Sequence, residues 1–226
     1  MAEKEEKISI NTENLKDETV ETAKKVKESM KGTNIKEETK ATKNFVVDMF
    51  KNPVEKIIEV ANDKTGKFFK TAIFLIIIWI VLVFIKSTYT TIYYWGFSRV
   101  FANILSVLKK ILAPALGIIV YSIIALVLNK ENKKPLTTVI STVTITKLPL
   151  IIASVVSLLT IISSKISILS TPFSNLCSIV AIVLSFFGFK NIFGAEDGKA
   201  FIKKYVLIEI IYQIAYVIIG LLGIYI

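Results

Sequence analysis

An uninterrupted apolar run at residues 71–85 constrains this chain more than any other feature. It contains no charged residue, no glycine and no proline, and Lys70 and Lys86 flank it. With Phe68 and Phe69, the run reaches the length that a helix needs to cross about 30 Å of hydrocarbon at about 1.5 Å per residue. In water, a helix that is apolar on every side would need a large core around it. The run therefore predicts a first transmembrane helix.

The composition of the whole chain agrees with several such helices. Of the 226 residues, 53% are hydrophobic, and the mean hydropathy is +0.62, a balance typical of polytopic membrane proteins. Residues 1–67 carry equal numbers of basic and acidic side chains, so the net charge of +10 belongs to residues 68–226. Basic residues between apolar segments orient a membrane protein. The lipid bilayer is the expected partner, and nucleic acid is not.

The rare residue types exclude several kinds of site. The chain has no histidine and a single cysteine, Cys177. Histidine-dependent triads, histidine metal sites, Cys₄ zinc sites and an internal disulfide are therefore impossible. No phosphate-binding loop, GxSxG elbow or HExxH motif is present. We expect no enzymatic activity, no metal and no cofactor.

The apolar segments predict an all-α polytopic membrane bundle with five transmembrane helices. Residues 1–43 form a charged, largely disordered cytoplasmic tail in this prediction, and residues 44–226 form the membrane domain. A partner-binding coiled coil is the alternative for the tail. The predicted spans cover residues 71–85, 111–128, 149–162, 173–189 and 205–226.

Two short amphipathic helices are predicted before the first span. Apolar residues recur at helical spacing in residues 45–50. Asn52 is a favourable N-cap, Pro53 suits the first helical position, and Glu55 completes a capping box. A helix over residues 53–62 follows. We expect both segments to lie on the membrane surface.

The segment after the first span is rich in aromatic residues. Aromatic side chains collect at the boundary between lipid and water, and apolar residues of this segment fall on one helical face. An interfacial amphipathic helix within residues 87–110 is therefore expected, with an aromatic cage for a ligand as the alternative. The second span then begins near Ile111, with Pro114 in its first turn.

A hydroxyl-rich segment leads into the third span. Residues 136–146 combine apolar residues with six serines and threonines and end at Lys147. Such hydroxyls bond to carbonyls of their own helix, so a buried helix entering the membrane is expected. Residues 149–162 alone are short for a span and need residues before Lys147 to complete it.

The distribution of lysine and arginine predicts the orientation. With five spans and a cytoplasmic N-terminus, eleven basic residues near the spans lie on the cytoplasmic side and five on the other. The positive-inside rule therefore favours a cytoplasmic N-terminus.

Three polar residues stand out within or beside the spans. Glu209 and Gln213 are one turn apart on the last span, and Lys147 precedes the third. Ionisable residues inside a membrane are costly and often functional, so Glu209 is a candidate coupling carboxylate of a transporter. The simpler interpretation, which we favour, pairs Glu209 with Lys203 or Lys204 at the interface.

Lys147 also has two interpretations. The first is that it binds a lipid phosphate together with Lys133 and Lys134. The second, simpler one is that the side chain extends to the interface from the end of a helix.

The order of these features resembles the Yip family of five-span membrane proteins. The resemblance rests on residues 50–57, on the run ending at 147–150, and on residues 187–194 followed by 198–200. It implies a non-enzymatic membrane scaffold that interacts with other membrane proteins. Eukaryotic members interact with Rab/Ypt GTPases, but their Asp-Leu-Tyr-Gly-Pro-type motif is missing here, so the chain looks more like the bacterial members. A bacterial cytoplasmic membrane is the expected location, and a eukaryotic endomembrane the alternative. The competing function is a small transporter, or a transporter subunit, that uses Glu209.

Overall fold

The computed structural model describes residues 20–24, 27, 34–97, 101, 104–128, 134–162, 164–194 and 198–221. It is 92% helical and contains no strand within these ranges, which confirms the all-α prediction. The helices of ten or more residues are α1 (Ile35–Lys51), α2 (Pro53–Asn62), α3 (Phe69–Trp95), α4 (Ile104–Leu128), α5 (Leu136–Thr146), α6 (Leu148–Ile162), α7 (Ser164–Phe193) and α8 (Gly198–Leu221).

Four of these helices are long and apolar enough to cross a membrane. They are α3, α4, α8 and the part of α7 from Ile168 to Phe193. Helices α5 and α6 pass the same test together, and their axes meet at 42°. The described chain is thus a membrane-type helical bundle with four spans, or five if the bent pair counts as one. The predicted need of the third span for residues before Lys147 agrees with this pairing.

The first span is longer than predicted. Helix α3 continues past Lys86 to Trp95. Within this extension, Thr90 and Thr91 donate to the carbonyls of Lys86 and Ser87, at 2.8 and 2.9 Å, so their hydroxyls are satisfied within the same helix. It ends at Gly96, whose φ of +81° places it in a left-handed conformation that side chains other than glycine rarely adopt.

The predicted interfacial helix within residues 87–110 is therefore wrong. Its first part belongs to α3, and its last part belongs to α4, which begins at Ile104. Residues 98–100, 102 and 103 lie outside the described part. Pro114 consequently sits inside α4 and not in its first turn.

Helix α1 begins within the segment that the sequence assigned to a disordered tail. Asn34 caps it, accepting from the Lys36 N–H at 3.2 Å and donating to the Glu37 carboxylate at 3.0 Å. Phe45 and Met49 are buried, so the apolar face of α1 packs against other parts of the protein, including α2 and α3. Residues 1–19 of the predicted tail lie outside the described part.

Helix α2 is covered by protein, whereas the sequence suggested a membrane-surface position. Ile57, Val60 and Ala61 are completely buried, and the helix packs against α7 and α5. Asn52 and Pro53 occupy the predicted cap and first positions, although the Asn52 side chain makes no capping bond. The apolar face of α2 is therefore part of the core of the bundle.

Helix α5 lies at the centre of the described bundle. It packs against α2, α3, α4 and α7, and every one of its residues except Ile140 is buried. Ser141 and Thr142 donate to carbonyls one turn earlier, at 2.7 and 2.9 Å. Thr146 bonds in the same way, so the expectation that the hydroxyls bond to their own helix holds for these three. Thr138 donates instead to the Asp63 carbonyl, and the buried Thr144 hydroxyl has no partner. The bonded hydroxyls expose no polar group, which makes burial of α5 on all sides less costly.

The turn between α2 and α3 is organised by Asp63. One carboxylate oxygen accepts from the N–H and the hydroxyl of Thr65, at 2.9 and 2.6 Å, and the other from the Phe68 N–H at 3.2 Å. Burial acts to raise the pKa of Asp63, but these bonds and one from the Gly66 N–H outweigh it. The pKa therefore lies below its ordinary value of 3.8.

We expect the stability of the protein to depend on the charge of Asp63. Because the folded-state pKa is depressed, its contribution is fully present above a pH of about 4 and disappears as the pH falls through the folded-state pKa. Asp63→Asn should lower the melting temperature in detergent by about 2–4 °C at pH 7, and the difference should shrink as the pH falls through the folded-state pKa of Asp63. Asp48→Asn, at an exposed position of α1, is the control. An unchanged melting temperature of Asp63→Asn at pH 7 would contradict this role.

Candidate functional site

Lys147 lies at the break between α5 and α6. Pro149 has no N–H and cannot donate to the carbonyl of Ile145, four residues earlier. The chain tightens instead, and the Lys147 N–H donates to the Thr144 carbonyl at 3.1 Å. Lys147 thus lies about 16 Å from the start of α5, measured along the helix axis. At this distance from the end of the helix, its ammonium group lies near the middle of the bundle.

Two tyrosine rings surround the ammonium group of Lys147. The Nζ atom lies 4.8 Å from the ring centroid of Tyr121 on α4 and 5.8 Å from that of Tyr212 on α8. The two ring centroids are 4.5 Å apart. Aromatic faces attract cations, more strongly where water is excluded. The rings therefore provide part of the electrostatic compensation that a cation at this depth needs.

Glu209 provides an opposite charge beside this group. Its carboxylate accepts a hydrogen bond from the Tyr121 hydroxyl, and it is close enough to Lys147 to interact with it electrostatically. The hydroxyl of Tyr205, one turn before Glu209, donates to the Ile182 carbonyl at 3.0 Å. Glu209 is about 16 Å from the first residue of α8, a depth similar to that of Lys147. It therefore lies well within its helix, away from the end where the sequence interpretation placed it.

These side chains line a cavity of about 470 Å³ between α3, α4, α6, α7 and α8, which we call the Glu209 cavity. Its polar lining comes from Lys147, Ser178, Glu209, Tyr212, Gln213 and Tyr216. Trp79, Pro114 and Leu150 contribute to its apolar wall. The structure thus brings together the three polar residues that the sequence singled out separately: Lys147, Glu209 and Gln213.

The predicted lysine cluster is not formed. Lys134 lies two residues before α5, and its ammonium donates to the Asn62 side chain at 3.2 Å. Lys147 directly follows the other end of α5, so at least about 16 Å separates the two lysines along the helix axis. Lys133 lies outside the described residues. A shared phosphate site for Lys147 and Lys134 is therefore wrong.

The tyrosines of the site were missed by the sequence interpretation. On α8 a signal was present, because Tyr205, Glu209, Tyr212 and Gln213 follow the three- and four-residue spacing of one helical face. Tyr121 on α4 has no such polar neighbours to distinguish it from an ordinary core aromatic. Within the described ranges, no three Cys, Asp or Glu side chains are grouped closely enough to hold a metal ion.

Comparison with known proteins yields no relative. No family model matches the chain, and neither a curated protein nor a solved structure matches it. The resemblance to the Yip family therefore stays a prediction. What the protein does must be inferred from the arrangement of the helices and from the Glu209 cavity.

Proposed function

We propose that this membrane protein binds a small zwitterionic solute in the Glu209 cavity and acts as a small transporter or transporter subunit. The observation that carries the proposal is the placement of Lys147 and Glu209 on one cavity about halfway along the spans. Charges at this depth are costly, and solute pathways are where membrane proteins keep them.

The geometry favours a ligand that carries one positive and one negative charge. Among the ion pairs of the described residues, none joins Lys147 to Glu209 within 4.0 Å. Neither charge is neutralised by direct contact with the other, so each can also bind a ligand group of opposite charge, a carboxylate at Lys147 and an ammonium at Glu209. The cavity volume of about 470 Å³ is in the range of small-molecule sites. An amino acid has the required chemistry and size.

Uptake of labelled alanine into proteoliposomes tests the proposal. We expect uptake above that of protein-free liposomes, and at least a tenfold reduction for Glu209→Gln or Lys147→Met, because each variant leaves one ligand charge without a partner. Lys203→Gln, at an exposed position of α8, is the matched control and should keep full uptake. Glycine, leucine and serine are tested in the same way.

Two alanine derivatives test the need for both charges. N-acetylalanine lacks the ammonium group, and alanine amide lacks the carboxylate, so neither should compete with labelled alanine. Absence of uptake for every amino acid tested, or full uptake by Glu209→Gln, would contradict the proposal.

A non-enzymatic scaffold of the Yip type is the second candidate. Helices α1 and α2 precede the first span as the resemblance implies, and Tyr93, Tyr94 and Trp95 at the end of α3 are about 70% exposed, which suits contact with another membrane protein. Failure of the uptake experiment together with partners captured through the charged tail would favour this candidate. The cytoplasmic N-terminus and the bacterial membrane stay predictions.

A further inference from the structure

A second polar cavity lies toward the opposite end of the bundle from Asp63. It has a volume of about 570 Å³ and lies between α3, α4, α6 and α7. We call it the Lys86 cavity. Its polar lining includes Lys86, Lys110 and the hydroxyls of Ser87, Thr90, Ser157 and Ser174. Trp79, Pro114 and Leu150 line both this cavity and the Glu209 cavity, so the two cavities share a wall.

The lining of the Lys86 cavity is positive and rich in donors. It includes two lysines and no carboxylate among the described residues that line it. Lys86 donates to the Ser157 hydroxyl, which is a neutral partner. The side chains of Lys86 and Lys110 are both exposed, so an anion can reach them, and an anion that contacts both cations is favoured electrostatically.

A buried hydroxyl on the wall also lacks a partner. Ser87 is only 8% exposed, and its Oγ atom has no hydrogen-bond partner in the structure. This atom is enclosed by protein, so the Ser87 hydroxyl reaches a ligand in the cavity only after a rotation about χ1. Ser87 directly follows Lys86 on α3, and both residues line the same cavity.

We propose that the Lys86 cavity binds a phosphate-type oxyanion, with Lys86 and Lys110 as the charged ligands and Ser87 as a hydroxyl donor. Ammonium and hydroxyl groups supply donors to oxyanions, and charge-assisted bonds of this kind are the strong ones. Lys86 lies about 26 Å along α3 from its first residue, a depth near the far boundary of a bilayer about 30 Å thick. Both a lipid headgroup and free phosphate present this chemistry there. The site goes beyond the proposed solute site, since it uses other charged residues.

Tryptophan fluorescence provides a reporter inside the cavity. The chain has two tryptophans, Trp79 and Trp95. Trp95→Phe leaves Trp79, whose indole N–H donates to the Ser154 hydroxyl at 3.1 Å on the wall of the Lys86 cavity. Binding of an anion in this cavity should change the emission of Trp79. This readout does not depend on transport.

The experiment has two arms that separate the sources of the oxyanion. In the first, inorganic phosphate is titrated into detergent-purified Trp95→Phe protein. In the second, the same protein is placed in nanodiscs of phosphatidylcholine with or without phosphatidylglycerol. If inorganic phosphate changes the emission of Trp79, the ligand is a free anion. If only phosphatidylglycerol changes it, the ligand is a lipid headgroup. Either response supports the site if Lys86→Gln and Lys110→Gln each weaken it at least fivefold.

Lys109→Gln is the matched control, because Lys109 neighbours Lys110 but does not line the cavity. It should leave the response unchanged. Glu209→Gln should also keep it, which separates this site from the proposed solute site. Melting temperatures of all variants show whether they are folded. The proposal is overturned if neither probe changes the emission, or if Lys109→Gln weakens the response as much as Lys86→Gln.

Discussion

Gly188→Ala is expected to lower the free energy of unfolding by about 2 kcal/mol, as overpacking of a close-packed core does. A Cβ atom at this position of α7 would lie 2.7 Å from Cγ2 of Thr142 and 3.2 Å from Cγ2 of Ile57. Real Cβ contacts under 3.0 Å essentially never occur. Thr142 cannot turn away easily, because it is buried and its hydroxyl bonds to the Thr138 carbonyl. Gly188→Leu should prevent the accumulation of folded protein.

The experiment compares two helical glycines. Gly220 of α8 has no heavy atom within 4 Å of the position that a Cβ would occupy, so Gly220→Ala should leave the melting temperature unchanged or raise it slightly. Thr142→Ser removes the clashing methyl group and should restore part of the stability of Gly188→Ala. Equal melting temperatures of Gly188→Ala and Gly220→Ala would contradict the close approach of α7 to α5.

Removing one charge of the Glu209 cavity is expected to destabilise the protein more than removing both. Glu209→Leu leaves the Lys147 ammonium with the rings of Tyr121 and Tyr212 as its aromatic partners, and Lys147→Met leaves the Glu209 carboxylate without its nearby cation. An uncompensated buried charge costs about 3 kcal/mol or more. The double variant should recover about half of this loss. Melting temperatures in detergent for the four proteins give the coupling between the two residues.

Tyr121→Phe separates the hydrogen bond from the charges. The variant keeps the ring beside Lys147 and removes the hydroxyl that donates to Glu209. We expect the free energy of unfolding to fall by about 1 kcal/mol, less than for either charge removal.

For the two charge removals, additive effects of Glu209→Leu and Lys147→Met would contradict the coupling, and would assign each charge a partner of its own.

The spans could be predicted from hydropathy because lipid selects apolar helices, but their ends could not. The prediction ended the first span at Ile85, before Lys86, whereas α3 continues to Trp95. A single lysine that reaches a hydroxyl on α6 does not interrupt a helix, and neither do threonines bonded to their own backbone. Gly96 ends the helix because of its backbone conformation, a signal that hydropathy alone does not contain.

The members of the candidate site could be predicted singly but not as a group. Glu209 and Lys147 stood out because charge inside a membrane is costly. Their proximity depends on how α8 packs against α4 and on the bend at Lys147, and neither follows from hydropathy. The sequence interpretation favoured Lys203 or Lys204 as the partner of Glu209 because they are close to it in the sequence. In the structure, the carboxylate contacts Tyr121 of α4 and interacts with Lys147.

The burial of α2 has a consequence for biosynthesis. Ile57, Val60 and Ala61 leave the ribosome about a hundred residues before α7, their main covering helix. At typical rates of about 5–20 residues per second, this interval lasts roughly 5–20 seconds. Helix α5, which also packs against α2, is translated earlier than α7 and can cover part of this face. The face cannot be covered completely until α7 has been made, although α2 itself is translated early.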